Sequence, residues 1–125
     1  MTVEIVRQSS PEVVEALGRL IPQLSRTATA LSAEQCEAFI GQPGVFLFVY
    51  RSSRRVEDGT YPILGMLTLA TFTIPTGLRA WVEDVVVDSS ARGQGAGRAL
   101  VEAAVAHAGE LSTRSEERRV GKECR

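Results

Sequence analysis

The chain has 125 residues, the length of a single domain, and 44% of them are hydrophobic, which is enough for a packed core. The net charge of −1 at pH 7 gives no electrostatic footprint for nucleic acid or for an anionic membrane. No apolar run approaches the roughly 20 residues of a membrane span, and the N-terminus lacks a signal-peptide pattern. We therefore expect a cytoplasmic protein with no nucleic-acid or membrane partner.

The two cysteines, Cys36 and Cys124, are too few and too isolated to predict a disulfide framework or a metal site. Cys36 falls within an amphipathic pattern, so we interpret it as a small buried hydrophobe and not as a nucleophile. We expect no metal cofactor.

The first half of the chain predicts one strand and two helices. Residues 3–7 alternate apolar and polar as a half-buried strand does. Ser10 followed by Pro11 is typical of a helix start, and the apolar stripe of that helix continues to Leu24. A second helix begins at Ser32, where Gln35 completes a capping box. This helix is expected to bury three residues and to end at two glycines: Cys36, Phe39 and Ile40, then Gly41 and Gly44.

Three strands and a helix follow. The strands are predicted over Val45 to Arg51, Ile63 to Thr73 and Leu78 to Asp88, and the short Pro75–Gly77 connection predicts an antiparallel hairpin between the last two. The polar connection 52–62 is expected to be exposed. The helix is predicted from about Gly95 to Gly109, with one face toward the sheet: Leu100, Val101, Ala104, Val105 and Ala108.

The junction between the last strand and this helix carries the strongest functional signal. A β-branched run ends at Asp88, and glycines follow at 93, 95 and 97. Glycines let the backbone turn sharply and approach a ligand, and a helix N-terminus offers free N–H groups to an anion. Gly93, Gly95 and Gly97 do not fit the dinucleotide fingerprint, because Arg98 stands at the third glycine position, and no lysine is present for a Walker A loop.

Arg92, Gly95 and Gly97 do fit the pattern [QR]xxGx[GA]. With the strand before it and the helix after it, the segment resembles the GNAT superfamily of acyl-CoA-dependent N-acetyltransferases, over about the first 110 residues. The resemblance implies an α/β fold with a mixed, mostly antiparallel sheet and helices on both faces. It also implies further elements that this sequence lacks, namely a C-terminal strand and helix.

The resemblance implies a binding mode for acetyl-CoA, the expected co-substrate. In the family the acyl-pantetheine lies beside the fourth strand, so the backbone around Val85, Val86 and Val87 would pair with its amides as an extra strand would. Backbone N–H groups in the turn would hold the pyrophosphate, and two arginines could add charge-assisted contacts. The segment concerned comprises Arg92, Gly93, Gln94, Gly95, Ala96, Gly97 and Arg98.

Acyl transfer to an amine requires a base and an acid. Glu83, just before the valines, is the candidate base; the alternatives are a solvent-facing carboxylate or one that only attracts the amine. Asp84 would point to the opposite face if the strand alternates regularly. The family's usual acid, a tyrosine on a later helix, has no counterpart, since Tyr50 and Tyr61 lie on or near earlier strands. His107 is expected at the surface.

The last twelve residues differ from the rest. They carry five Lys or Arg and three Asp or Glu, a net charge of +2, whereas residues 1–113 carry −3. The chain's only lysine, Lys122, is among them. The segment from Arg114 to Cys124 also resembles the translation of a common sequencing adaptor, AGATCGGAAGAGC. Our hypothesis is that 1–113 is the N-terminal part of one N-acetyltransferase domain and that 114–125 is a non-native tail; the alternative is a solvated, charged helix or disordered tail.

The sequence thus predicts an N-acetyltransferase that transfers an acetyl or acyl group to a primary amine of a small molecule or peptide, present as a truncated fragment. The alternatives are a non-catalytic acyl-CoA-binding or regulatory module, which would not need Glu83, and an interaction domain whose glycine turn is structural.

Overall fold

The computed structural model describes residues 2–56 and 58–123, with side chains up to residue 114. Cys124 therefore lies outside the described residues, as do Met1, Glu57 and Arg125. The elements follow in the order β1 (Thr2–Val6), α1 (Pro11–Leu24), α2 (Ala33–Ile40), β2 (Val45–Arg51), β3 (Ile63–Ile74), β4 (Gly77–Val87), a 3-10 turn (Ser89–Ala91) and α3 (Ala96–Glu123).

The helix starts form as the sequence predicts. The Ser10 hydroxyl accepts a hydrogen bond from Val13 N at 3.3 Å, and Pro11 occupies the first turn of α1. At α2 the Ser32 hydroxyl accepts from Gln35 N at 3.1 Å, while the Gln35 side chain accepts from Ser32 N at 2.9 Å. The predicted capping box is confirmed, and the end of α2 at Gly41 is confirmed with it.

The four strands form one antiparallel sheet in the order β1-β2-β3-β4. The predicted hairpin between β3 and β4 is confirmed, with Ile74 paired to Gly77. Each predicted strand agrees with an observed one to within a residue at each end. The polar connection between β2 and β3 is largely exposed.

Helices cover both faces of the sheet and create two cores. The first core packs α1 and α2 on one face through Leu17, Leu20, Cys36, Leu47 and Met66. The second packs α3 on the other face, where Phe48, Tyr50, Leu67, Leu69 and Leu100 meet. Neighbours in β2 alternate between the two cores, so this strand is buried on both sides. Cys36 is fully buried, as predicted, and burial raises the pKa of its thiol. Phe39 and Ile40 are only half-buried against the first core.

Two predictions about α3 are wrong. The helix does not end near Gly109 but continues to Glu123, because most of the residues that follow are Glu, Arg, Leu or Lys, whose high helix propensity outweighs the two glycines at 109 and 121. Val101 and Val105 do not face the sheet; they are 38% and 62% exposed. Successive helical residues are rotated by about 100°. Since Leu100 and Ala104 are fully buried, their C-terminal neighbours point away.

The face of α3 that does meet the sheet includes the histidine expected at the surface. His107 packs edge-to-face on Phe46 and Phe48, with ring centroids 4.6 and 6.0 Å apart. Burial lowers its pKa, which favours the neutral imidazole. It follows that His107 is a packing residue of the second core.

Candidate functional site

The turn after β4 is built around Asp88. Its backbone N–H donates to Leu64 O at 2.7 Å and so ends the ladder with β3. Its carboxylate accepts hydrogen bonds from the hydroxyl and the backbone N–H of Ser90, the latter at 3.0 Å. These bonds, with one from Gln23, lower the pKa of Asp88 to about 2. The carboxylate is therefore charged at neutral pH and fixes the start of the turn.

A second anchor of the turn comes from α1. The side-chain amide of Gln23 donates to the Asp88 carboxylate at 2.8 Å and accepts from Ser89 N at 3.3 Å. The Gln23 side chain thus bonds both the carboxylate of Asp88 and the backbone N–H of Ser89. No sequence pattern indicates this contact, because Gln23 and Asp88 are 65 positions apart and glutamine is common near helix ends.

Two glycines in the turn have backbone angles that L-residues disfavour. Gly93 has φ 84° and Gly95 has φ 79°, both in the left-handed region. A Cβ at either position would meet no heavy atom within 4 Å, so the backbone angle and not crowding within the chain accounts for glycine. Gly97 differs: it has no positive φ, and a Cβ there would lie 3.7 Å from a methyl group of Val87.

The turn presents several backbone N–H groups. The first regular bond of α3 runs from Ala99 N to Gly95 O at 3.0 Å, so the N–H groups of Ala96, Gly97 and Arg98 have no acceptor within the helix. Among the described residues, those of Gly93 and Gly95 have none either, whereas Gln94 N bonds Ala91 O. A cluster of free donors at a helix N-terminus is suited to an anion such as a phosphate.

The two arginines beside these donors are both exposed. Arg92 ends the 3-10 turn, and Arg98 forms an ion pair with Glu102 at 2.9 Å within α3. The Arg98 side chain is 85% exposed, so this pair is weak and would exchange readily for an anion.

The C-terminal end of β4 exposes backbone as well. Asp88 N bonds Leu64 O, and hydrogen-bonded pairs alternate along an antiparallel ladder, so Val86 and Met66 also form a hydrogen-bonded pair. The N–H and C=O of Val87 therefore point away from β3, toward the free edge of β4. Among the described residues no strand lies on that edge. The Val86 side chain is buried in the first core, and Val85 is partly exposed. This edge could therefore bond an extended ligand through its backbone.

A β-bulge interrupts β4 just before these valines. Met66 pairs with Val86 and Thr68 pairs with Glu83, so Leu67 alone faces both Asp84 and Val85. Asp84 has φ 52°, the one described non-glycine residue with a positive φ. The bulge makes the expected regular alternation wrong. Asp84 does not lie opposite to Glu83 but on the same side of the sheet.

That side of the sheet carries a cleft of about 280 Å³ between α1, the connection to α2, and the middle of the sheet. Asp84 and Thr68 both line it. Glu83 is paired directly with Thr68, and directly paired residues of an antiparallel sheet project to the same face. The bulge thus brings two exposed carboxylates, Glu83 and Asp84, to the mouth of one cleft. The sequence predicts Glu83 as the base and does not predict the proximity of Asp84.

The described residues include no group of three or more His, Cys, Asp or Glu close enough to hold a metal ion. None of the described helices is both long and apolar enough to cross a membrane.

Residues 15–118 match the model of the acetyltransferase (GNAT) family. The chain belongs to this family of acetyltransferase enzymes. The predicted recognition and fold class are confirmed by this match and by solved structures of similar fold. No match to the sequence was found among curated proteins.

Three solved structures illustrate the shared GNAT fold. An aminoglycoside acetyltransferase from an uncultured soil metagenomic sample, in complex with sisomicin, has 20% identity and a TM-score of 0.71, over 89% of this chain and 71% of that one. A Trypanosoma brucei acetyltransferase has 21% identity and a TM-score of 0.67, over 89% and 76%. Glucosamine-6-phosphate N-acetyltransferase from Arabidopsis thaliana has 20% identity and a TM-score of 0.66, over 90% and 78%.

Neither tyrosine of this GNAT chain lies at the site. Tyr50 is buried in the second core, and Tyr61 lies in the β2–β3 connection, where the Arg55 guanidinium is 5.8 Å from its ring centroid. No acid for the departing thiolate is therefore assigned among the residues that the structure describes.

Proposed function

We propose that this chain is an N-acetyltransferase that uses acetyl-CoA and a primary amine of a small molecule or peptide. The proposal is carried by two features that follow each other on one short segment: an open strand edge at Val87, and a turn with at least five free N–H groups from Gly93 to Arg98. The edge is complementary to an extended arm that contains amides, and the turn is complementary to a pyrophosphate at the end of that arm.

The residues present fit acetyl-CoA. Backbone groups of Val85 and Val87 would bond the pantetheine amides, while the backbone of Val86 bonds Met66 of β3 and its buried side chain holds the strand on the first core. The N–H groups of Gly93, Gly95, Ala96, Gly97 and Arg98 would hold the pyrophosphate. Gln94 would act by keeping the turn closed through its bond to Ala91, and Arg92 would add a charge.

Glu83 is the proposed base. It lies beside the cleft on the face from which an amine could approach the strand edge. It would take a proton from the ammonium, directly or through water, and the amine nitrogen would then attack the thioester carbonyl. The carbon–sulfur bond breaks, and coenzyme A leaves as a thiolate that takes up a proton. Asp84, on the same face, is a competing candidate for this role.

Acetyl-CoA binding by the full chain, measured by calorimetry, tests the cofactor assignment. Gly95→Ala forces a side chain into the left-handed region and should weaken binding at least tenfold. Gly59→Ala is a matched control, because Gly59 also has a positive φ of 86° and open space around it, but lies in the β2–β3 connection. Equal affinity for the two variants would contradict the assignment.

Glu83→Gln tests the base. Turnover should fall by about a hundredfold, the typical contribution of general base catalysis, while acetyl-CoA affinity stays constant. Glu37→Gln, an exposed carboxylate on α2, is the control. Unchanged turnover in Glu83→Gln would remove the proposed base and favour Asp84; acetyl-CoA binding without any turnover would favour the non-catalytic binding module.

A further inference from the structure

The cleft beside the β4 bulge is apolar over most of its surface. Seven side chains with hydrocarbon or thioether surfaces line it from α1, the α1–α2 connection, α2 and the sheet: Leu17, Ile21, Leu24, Leu31, Phe39, Leu47 and Met66. The rest of the lining consists mainly of small residues from the α1–α2 connection. Such a surface gains free energy by covering hydrocarbon and offers few partners to hydroxyl groups.

Among the described residues, Asp84 is the only ionisable one that lines the cleft, and no described lysine, arginine or histidine does so. The left-handed backbone angle at Asp84 and the bulge around it set the backbone position from which this carboxylate extends. A ligand that carries an ammonium group is therefore favoured. A carboxylate or phosphate on the same ligand would meet a like charge with no compensating cation.

The size of the cleft sets how much of a ligand it can enclose. At about 30 Å³ for each water-sized group, 280 Å³ holds roughly nine such groups. This is the size of one ring with a short side chain, or of a branched alkyl chain. A larger, polyhydroxylated amine would leave several hydroxyls against hydrocarbon, each at a cost in affinity.

We propose that the acceptor is a compact apolar primary amine, whose hydrocarbon body fills this cleft and whose ammonium group is held by Asp84. The proposal rests on the proposed acetyltransferase function and specifies its substrate class. Once Glu83 has taken a proton from the ammonium, the neutral nitrogen attacks the thioester, loses a second proton to water, and the carbon–sulfur bond breaks. The coenzyme A thiolate takes up a proton, and the products are an N-acetylated amine and coenzyme A. Asp84 attracts the substrate and Glu83 moves the proton.

Matched ligands test this proposal on the full chain. 2-Phenylethylamine has the proposed chemistry, phenylalanine adds a carboxylate to it, and sisomicin is a polar polyamine. Binding can be followed by the thermal shift of the chain and by the fluorescence of Trp81, the single tryptophan, which lies on β4. We expect phenylethylamine to bind about tenfold more tightly than phenylalanine, a difference of about 1.4 kcal/mol. Equal binding, or tighter binding of sisomicin, would overturn the substrate class.

Two residues of the α1–α2 connection provide a control for the location. Ala28 lines the cleft and Ala30 does not, although both are exposed. Ala28→Arg should weaken phenylethylamine binding at least tenfold, and Ala30→Arg should leave it unchanged. Asp84→Asn should also lose about tenfold, since asparagine tolerates a positive φ and keeps the bulge. Wild-type affinity in both Ala28→Arg and Asp84→Asn would overturn the assignment.

The outcomes separate this proposal from the function on which it rests. Acetyl-CoA binding with acetylation of sisomicin, and none of phenylethylamine, would overturn the substrate class alone. Phenylethylamine binding that depends on Ala28 and Asp84, without any acetyl-CoA binding, would support the cleft as an amine site and overturn the acetyltransferase function.

Discussion

The bulge within β4 and the turn that follows β4 are stabilised in different ways. The turn that follows Val87 depends on hydrogen bonds: Asp88 binds Ser90, and Gln23 binds both Asp88 and Ser89. The bulge at Asp84 depends on register, because the ladder on either side of it is regular and one residue is left over. The turn can therefore be weakened through one side chain at a time, whereas the bulge can be removed by changing the length of the strand.

The turn and the bulge also differ in the chemical groups that they present. The turn offers backbone N–H groups and has little dependence on side chains beyond its anchors. The bulge, in contrast, brings two carboxylates to one face and leaves a residue with a strained backbone. Strain of this kind persists where the surrounding structure imposes it, and it is common at active sites.

The largest effect should come from removing the bulge. Deleting Asp84 leaves Leu67 opposite Val85, while Glu83 stays opposite Thr68, so all other pairs keep their register. The free energy of unfolding should rise by about 1 kcal/mol, since a left-handed residue is lost. Acetylation of phenylethylamine should fall at least a hundredfold, because the geometry of the reacting groups shifts.

Chemical denaturation and steady-state kinetics on the deletion variant measure both quantities. Asp84→Asn is the control, because it removes the charge and keeps the bulge. A deletion variant with the turnover of Asp84→Asn would show that the bulge has no catalytic role beyond placing the carboxylate.

Asp88→Ala should have the next largest effect. It leaves the amide of Gln23 and the N–H of Ser90 without their acceptor, at a cost of about 1 to 2 kcal/mol in the free energy of unfolding. Acetyl-CoA affinity should fall about tenfold, whereas amine binding in the cleft should fall much less, because Asp88 reaches the cleft only through Gln23 and α1. Thermal unfolding and calorimetry with each ligand check this; an equal loss for both ligands would mean that the turn and the cleft do not respond separately.

Gln23→Ala removes the second anchor and should cost less. The expected loss is about 1 kcal/mol of stability and a few-fold in acetyl-CoA affinity, because Ser90 still binds Asp88. Gln8→Ala, at an exposed position before α1, serves as control. Identical acetyl-CoA affinities for the two variants would exclude a positioning role for Gln23.

The smallest effect is on pH dependence. The folded pKa of Asp88 is about 2, below its ordinary value of 3.8, so its charge stabilises the fold above about pH 4. This contribution disappears as the pH falls from about 4 to 2. Asp88→Asn should lack it, so the stability difference between wild type and Asp88→Asn should shrink over that range by about 1 kcal/mol, discounted for solvent screening. A constant difference from pH 6 to 2 would contradict the lowered pKa.

Local chemistry in the sequence predicted the elements correctly except for the C-terminal end of α3. Each helix cap joins two residues three positions apart, as Ser10 with Val13 and Ser32 with Gln35. The turn glycines, Gly93 and Gly95, have the positive φ angles that glycine tolerates best. The sheet followed from β-branched runs and a short hairpin. In each case the interacting residues are close together along the chain, so a short stretch of sequence is enough to predict the structure.

The parts that the sequence did not predict depend on distant contacts. The bulge arises from the pairing of β4 with β3, and the Gln23–Asp88 contact joins residues 65 positions apart. The apolar residues of α3 led us to predict that Val101 and Val105 face the sheet. Small alanines occupy that face instead, and they allow the helix to lie close to the sheet. The roles of Glu83 and of the tail from Arg114 stay predictions.

Helix α1 borders both proposed ligand sites, since Gln23 anchors the turn and Leu17, Ile21 and Leu24 line the cleft. A ligand that holds the turn in place therefore also restricts the end of the helix that forms one wall of the cleft. Part of the ordering entropy for the second ligand is then lost when the first one binds. We expect acetyl-CoA and the amine to bind with positive cooperativity. Thermodynamic reciprocity requires each to raise the affinity for the other by the same factor.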